Sequence, residues 1–385
     1  MKRRVRTMAI AAPIVLVVLI AALVRIGHNS NNGSTSSIGA GPKPVTYLVM
    51  TVRAGDVSRQ ADTMTVFSIG GKATPYALLI PTTTLTEIPG YGFDSIGRAL
   101  SFGRVPLADV TVENMLGVHV DHVAIIDDVA FARFIDGIGG VTISVPSNLF
   151  QSNGRGTLVP VFGAGTQSMR GGRAVRYLTF QAPDETELSR LAREQQLWNG
   201  IFAKFAGSKA SDLADRVRDI GNAVDGDAGA TAFGRYLAAF AQLAQSARTY
   251  DVLPVTPVGG SGVEEAFRVN QDELDVQVSR FLGGSMASKK ARPRLQLLNG
   301  NGTPEVGVSV AQKLIPQGLR LVDSGNARSF DFAVTKIIVY ADDPEALALA
   351  EHIKQLLGAG EIEVARRPQT SIDVTVVIGK DYRAA

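Results

Sequence analysis

The chain has 385 residues, enough for two or three domains, and its 45% hydrophobic and 19% charged residues can build a buried core. It has no cysteine, which excludes disulfides, thiol nucleophiles and cysteine-ligated metals. Its four histidines lack the spacing of a zinc motif, which argues against a zinc or histidine-based catalytic centre.

The first 26 residues have the composition of a basic cytoplasmic segment followed by a membrane anchor. The run from Met8 to Val24 contains no charged residue, and an apolar run of about 17–25 residues can span a bilayer as a helix. Four basic residues precede the run and one, Arg25, follows it, which places the bulk of the chain outside the cytoplasm. No convincing small-x-small cleavage site precedes Arg25, so we predict a retained single-pass anchor in the cell membrane; a cleaved signal peptide is the alternative.

The positive charge of the chain comes from this anchor. The anchor carries five basic residues and no acidic one, so of 39 basic and 36 acidic residues the remaining chain keeps 34 and 36, a formal charge of −2. A protein that binds the phosphate backbone needs a net positive face, so the exported part is not predicted to bind nucleic acid.

An α/β domain is predicted from residue 45 to 282, after a Ser-, Asn- and Gly-rich flexible tether at 27–44. Its clearest part predicts a strand at His122–Ile126, a helix ended by Gly139 and Gly140, and a strand at Val141–Val145. Apolar residues at i, i+3, i+4 and i+7 give that helix one buried face: Phe131, Phe134, Ile135 and Ile138. Further helices are predicted at Glu185–Ala206 and around Phe233–Ala247.

A second, smaller domain follows a linker at 283–292, which is small, basic and followed by Pro293. Residues 293–385 predict strands and helices in the order βαββαβ, a small sheet covered by two helices.

The segment "IPTTTLTEIPG", Ile80–Gly90, has the form of an active-site loop. An apolar strand ends at a proline, and three threonines follow it. The only charged residue of the segment is Glu87. The segment is therefore poor in charge for a loop in this position.

Several motifs occur in an order and at spacings that resemble the LytR-CpsA-Psr (LCP) family. They are "RQADTM" from Arg59, "LLIP" from Leu78, the block Val112–Val145, "MRGGRAVRYL" from Met169 and "ELSRLAREQQ" from Glu187. The tail resembles the LytR C-terminal domain at "LQLLNGNGTPEVGVSVAQKL" and "DVTVVIGKDY". The resemblance covers about Val45–Tyr382 and implies an LCP-like α/β sandwich with an apolar pocket, a small C-terminal domain and one N-terminal transmembrane helix.

The resemblance also implies a function and a set of site residues. Such proteins move glycopolymers from a polyprenyl diphosphate carrier onto peptidoglycan in Gram-positive envelopes, with arginines on the diphosphate and carboxylates on Mg²⁺, which together neutralise the leaving group. Carried onto this chain, the catalytic residues are Asp62, Arg190 and Arg193, and the metal ligands are Asp62 and Glu187. The diphosphate would be bound by Arg59, Thr82, Thr179, Arg190 and Arg193. The lipid pocket would be lined by Phe131, Phe134, Ile135 and Ile138.

The chain departs from the family pattern at most of its arginine positions. Gln60 stands at the arginine before Asp62, Thr82-Thr83 replace an Arg-Asp pair, and Thr179 and Gln181 replace two further arginines. Threonine can donate one hydrogen bond to a phosphate, and each missing charge-assisted bond forgoes about 1.5–3 kcal/mol. We therefore predict a weakened phosphotransferase.

Other functions and local roles compete with this reading. The alternative functions are a non-catalytic protein that binds the polyprenyl phosphate or diphosphate glycolipid or an active LCP paralogue, and, last, a transcriptional attenuator. Local structural alternatives are a turn or cap role for Asp62, an ion pair of Arg190 and Arg193 with neighbouring glutamates on a solvated helix face, and ordinary core packing for the four apolar residues.

Overall fold

The structure is a computed structural model that describes residues 44–56, 58–70, 75–183, 185–206, 211–212, 215–216, 224–225, 229–243, 248–259, 265–282, 292–367 and 369–383. The predicted anchor and nearly all of the tether and interdomain linker lie outside these residues. Within the described part of the chain, no helix has the length and apolar character needed to cross a membrane.

A six-stranded mixed sheet forms the centre of the first domain, with strands numbered along the chain. Its strands are β1 (Val45–Val52), β2 (Ala61–Ile69), β3 (Tyr76–Ile80), β6 (His122–Asp127), β11 (Val224–Asp225) and β12 (Thr249–Val252), in the order β11-β6-β1-β2-β3-β12. β1 is antiparallel to β2 and parallel to β6. Nearly every residue of β1 and β2 is buried, because both faces of the sheet are covered.

Helices cover both faces. They are α1 (Ala99–Leu116), α2 (Asp128–Gly137), α3 (Gly171–Thr179), α4 (Glu187–Lys204), α5 (Gly229–Ala241) and α6 (Gln271–Phe281). Alternate residues of β1 and β2 enter two separate cores, one with α1 and α6 and the other with α2, α3, α4 and α5. The predicted strand-helix-strand unit around α2 is confirmed, and α4 begins two residues later than predicted because Thr186 caps it.

Smaller sheets complete this domain. A four-stranded sheet contains β4 (Thr84–Ile88), β5 (Gly92–Ser95), β13 (Val255–Gly259) and β14 (Ala266–Val269), in the order β13-β14-β4-β5. Two-stranded pairs join β7 (Val141–Val145) with β10 (Gly165–Met169), and β8 (Leu149–Ser152) with β9 (Leu158–Phe162). The threonine segment is a tight turn: the Thr84 amide bonds to the Pro81 carbonyl at 3.0 Å, and β4 begins there.

The C-terminal domain contains every predicted element and one more. It comprises β15 (Arg294–Asn299), α7 (Val306–Leu314), β16 (Arg320–Asn326), β17 (Lys336–Val339), α8 (Pro344–Leu357), β18 (Glu361–Val364) and β19 (Val374–Ile378). The sheet order is β16-β15-β19-β17-β18. The predicted βαββαβ order is wrong at β18, a short acidic edge strand whose residues are mostly exposed and which lacks the apolar signal of a core strand.

The C-terminal domain packs directly on α1 and β4 and shares an apolar core with them. The Ser324 hydroxyl donates to the Glu87 carboxylate at 2.5 Å and accepts from the Gly90 amide at 2.9 Å. The Asn114 side chain of α1 bonds to both the amide and the carbonyl of Leu321, at 2.8 and 3.0 Å. Glu87, the single charge of the threonine segment, is thus buried at this junction.

Replacing Asn114 by alanine is expected to destabilise the protein by about 1–3 kcal/mol, because it leaves two buried backbone groups of an edge strand without partners. Urea denaturation of the full chain measures the loss. Gln312→Ala is the matched control, since that exposed amide contacts the Pro106 carbonyl only at 3.5 Å. An Asn114→Ala protein as stable as the control would contradict this role.

Candidate active site

One edge of the six-stranded sheet brings polar residues from several elements together. β1 ends beside β6, with Val52 opposite Asp127, and β2 starts at the same edge. Arg53 therefore follows β1 next to Asp62 of β2, with a guanidinium nitrogen 3.9 Å from the carboxylate. The Asp128 carboxylate accepts from the Ala54 amide at 2.9 Å. Arg53 was missed in the sequence, although its place directly after a buried strand could have indicated it.

The first turn of α4 adds a buried ion pair to this edge. The Arg190 guanidinium donates to both oxygens of Glu187, at 2.8 and 2.5 Å, and the two residues are only 6% and 5% exposed. The backbone amide and the hydroxyl of Thr82 each donate a hydrogen bond to Oε1 of Glu187, at 3.3 Å. Thr82, Glu187 and Arg190 thus form one hydrogen-bonded group.

Arg190 is surrounded by negative charge. Burial opposes its ionised form, but the hydrogen bonds and charge of Glu187, with the charges of Glu194 and Asp62, raise the pKa of Arg190 above its usual value. Burial raises the pKa of Asp62, against the positive charges of Arg53 and Arg190. The Arg190 guanidinium therefore interacts with three carboxylates at this site, those of Glu187, Glu194 and Asp62.

Glu194 is the least expected member of the group. Its carboxylate accepts from the Thr65 hydroxyl in the interior. Burial raises the pKa of Glu194 to about 7, against the Thr65 hydrogen bond and the charge of Arg190. Its position one turn after Arg190 was the available signal in the sequence, but the helix periodicity does not show that this face is buried.

Arg193 has a different environment. Its Nε donates to the Tyr177 carbonyl at 2.9 Å, and its other nitrogens donate to Glu185 and to the Phe180 carbonyl. These contacts join α4 to the end of α3. The alternative that Arg190 and Arg193 lie on a solvated face is wrong, because both are buried, although the pairing of Arg190 with Glu187 is confirmed.

The remaining predicted diphosphate ligands have local partners. The Thr179 hydroxyl donates to the Val175 carbonyl of its own helix at 3.1 Å. Gln181, which replaces a family arginine and was not a predicted ligand, donates its side-chain amide to the Glu185 carbonyl at 3.3 Å. Arg59 is exposed in a turn, with a φ of 44°. The structure thus brings Asp62, Thr82, Glu187 and Arg190 together, while Arg193 and Thr179 lie at the α3–α4 corner; their roles as ligands stay predictions.

The predicted lipid-pocket residues lie in a filled core. Phe131, Phe134 and Ile135 are buried, and Ile138 is half-buried beside them. The ring centres of Phe131 and Trp198 are 5.8 Å apart. A cavity of about 50 Å³ lies elsewhere, between Glu113, His119, Arg292 and Pro316, and is far too small for a prenyl chain. A prenyl chain at the predicted residues would have to displace packed side chains.

The donor set gives a partial fit to Mg²⁺. Hard divalent cations take carboxylate oxygens, and the half-buried Asp62 carboxylate could supply one. Both oxygens of Glu187 already accept hydrogen bonds from Arg190, which argues against Glu187 as the second predicted Mg²⁺ ligand. Within the described ranges, no group of three or more acidic or histidine side chains has the geometry of a metal site.

Comparison with known proteins identifies the family. The model of the LytR_cpsA_psr family matches residues 26–277, and that of the LytR cell envelope-related transcriptional attenuator matches residues 292–382. The chain belongs to the LytR_cpsA_psr family. The predicted resemblance is therefore confirmed for both parts of the chain.

Curated relatives match over part of their length. A polyisoprenyl-teichoic acid–peptidoglycan teichoic acid transferase TagU of Bacillus licheniformis is 32% identical over 187 residues, 47% of this chain and 59% of the relative. A probable cell wall biosynthesis protein, LcpB of Corynebacterium glutamicum, is 26% identical over 39% of this chain and 35% of the relative. The chain thus matches little more than half of the first relative.

Solved structures confirm the mixed α/β fold. B. subtilis TagV superposes with a TM-score of 0.50 at 19% identity, over 61% of this chain and 94% of TagV. A structure of TagT bound to LI-WTA also has a TM-score of 0.50, at 22% identity, over 66% of this chain and 98% of that protein.

Proposed function

We propose that this chain is a membrane-anchored, extracytoplasmic LCP protein that handles polyprenyl (di)phosphate-linked glycopolymers for attachment to peptidoglycan, with weakened phosphotransferase activity. The family membership and the transferase names of its relatives support the substrate class. The proposal that phosphotransferase activity is weakened rests on one observation. Arg190 already donates to both oxygens of Glu187, and the Thr82 hydroxyl donates to the same carboxylate.

The chemistry of that pair explains why activity would be low. A diphosphate leaving group gains negative charge as its bond breaks, and guanidinium groups aimed at that charge stabilise the transition state. Here a diphosphate at the sheet edge has to compete with Glu187 for Arg190, and the three carboxylates around Arg190 repel it. Arg53, exposed at the same edge, is a second cation that can contact a phosphate oxygen.

The alternative is a protein that binds the lipid-linked glycopolymer, or an active paralogue, without turnover. The same observation favours it, since a site can hold a lipid by its apolar part without stabilising a leaving group. A transcriptional attenuator is the least favoured reading, because the exported part has a formal charge of −2. Mg²⁺ held by Asp62 remains part of the proposal; it would neutralise phosphate charge when bound.

Native mass spectrometry of the full chain in detergent, with a polyprenyl diphosphate glycolipid and Mg²⁺, separates these functions. We expect bound lipid, with slow appearance of the polyprenyl monophosphate as water, in the absence of peptidoglycan, accepts the glycosyl phosphate. Intact lipid alone would support the non-catalytic alternative. No bound lipid would contradict both. Lys380→Gln, which changes an exposed side chain of the C-terminal domain, is the control and should bind lipid like the wild type.

A further inference from the structure

A row of surface side chains leads from the candidate site toward the C-terminal domain. The Gly97 amide bonds to the Thr82 carbonyl at 2.9 Å, so the short turn before α1 lies against the site. Next to it, the Arg98 guanidinium lies over the Phe102 ring, 4.7 Å from its centre. Tyr91 stacks on Phe102 with ring centres 4.8 Å apart and planes only 4° from parallel.

This aromatic ridge, Tyr91, Arg98 and Phe102, ends at the domain junction. Gly90, beside Tyr91, lies against Gly307 of α7 and bonds to Ser324. Phe93 stands opposite Glu87 in the β4–β5 pair, and Glu87 also bonds to Ser324. The ridge therefore connects the site to the C-terminal domain.

The ridge exposes large rings beside charged groups. Tyr91 is 42% exposed and Phe93 59% exposed, so both rings present apolar surface to solvent near the domain junction. Arg98 pairs with Asp94 at 2.6 Å on the surface. The backbone is strained two residues after Phe102, where Arg104 has a φ of 57° and a ψ of −153°. Strain of this kind in a non-glycine residue often accompanies a binding surface.

The two faces of the sheet separate the parts of the proposed substrate. The predicted lipid-pocket residues pack in the core on one face of the six-stranded sheet. Ile96, Ala99 and Leu100, which are neighbours of Arg98 in the sequence, pack in the core on the opposite face. Arg190 lies at the sheet edge and is linked through Glu187 and Thr82 to the Gly97 amide beside the ridge. A diphosphate at Arg190 with its tail toward α2 would direct its sugar end, or an incoming sugar acceptor, toward the ridge.

We propose that the aromatic ridge and Phe93 bind the saccharide chain of the substrate and lead it from the candidate site to the C-terminal domain. The proposal rests on the proposed function. A pyranose ring has an apolar face that stacks on an aromatic ring, and hydroxyl groups that pair with neighbouring arginine and aspartate side chains. Rings flanked by the Arg98–Asp94 pair supply both contacts.

Titration calorimetry of the full chain in detergent tests the ridge with two probes. An N-acetylglucosamine tetramer represents a saccharide chain of pyranose rings, and a glycerol phosphate oligomer, which has no such ring, controls for attraction to charge alone. We expect the wild type to bind the tetramer, and binding of the glycerol phosphate oligomer alone would contradict the proposal. Tyr91→Ala with Phe93→Ala should raise the Kd at least tenfold.

Two further variants control for the loss of an exposed ring and for failure of the double variant to fold. Phe330→Ala removes a ring of similar exposure, 46%, in the C-terminal domain and should change the Kd less than twofold. If the double variant does not fold, the exposed Arg98→Gln decides, with an expected loss of at least threefold. The proposal is overturned if neither probe binds the wild type, or if the ridge variants bind like it. Retention of polyprenyl diphosphate in native mass spectrometry tests the proposed function separately.

Discussion

Replacing Arg190 by methionine is expected to lower the free energy of unfolding by about 3–5 kcal/mol, because it leaves the buried carboxylate of Glu187 without its cation. Glu194 and Asp62 would lose the same positive charge. Chemical denaturation of the full chain in detergent measures the change. A loss below about 1 kcal/mol, the size typical of exposed pairs, would contradict the buried pairing.

A second variant separates stability from binding. Glu187→Leu combined with Arg190→Met replaces both charges by apolar groups of similar volume, which is often neutral or stabilising for buried pairs. We expect the double variant to regain most of the lost stability and yet to retain less polyprenyl diphosphate than the wild type in native mass spectrometry. Wild-type lipid retention by this folded variant would show that Arg190 does not bind the diphosphate.

Glu194→Gln is expected to stabilise the protein at pH 8 by about 3 kcal/mol and to have little effect near pH 4.5. Burial raises the folded pKa of Glu194 from 4.5 to about 7, so the folded state holds a proton that the unfolded chain has already released. Stability therefore falls as the pH rises from about 4.5 to about 7 and then levels off. Glutamine stays neutral and keeps an oxygen for the Thr65 hydroxyl.

Denaturation at pH 5 and pH 8 measures this difference, with Glu351→Gln as the control. Glu351 is an exposed carboxylate on α8, so the Glu351→Gln protein controls for the loss of one acidic side chain at the surface. A Glu194→Gln protein whose stability falls with pH as steeply as the wild type would show that Glu194 is not the titrating group. Arg190 keeps both bonds to Glu187 in this variant, so the ion pair is not disturbed.

The local order of elements could be predicted because it depends on short-range periodicity. The unit from His122 to Val145 shows this, since alternating and 3.6-residue patterns separate its strands from its helix. β18 was missed because only Ile362 of that edge strand is even half-buried. Motif spacing was also sufficient to identify the family, which depends on residue identity along the chain and not on contacts.

The partners of the charged residues were decided only by the tertiary structure. Helix spacing correctly paired Glu187 with Arg190, since residues three apart are neighbours on a helix. It could not show that α4 turns both toward the interior, that Thr82 completes the group, or that Arg193 is engaged by Glu185 and the end of α3. Burial and long-range contacts depend on how the sheet edge and α4 pack together. The sequence by itself determined the family and the elements of this protein, and the packing determined which of its arginines remains at the site.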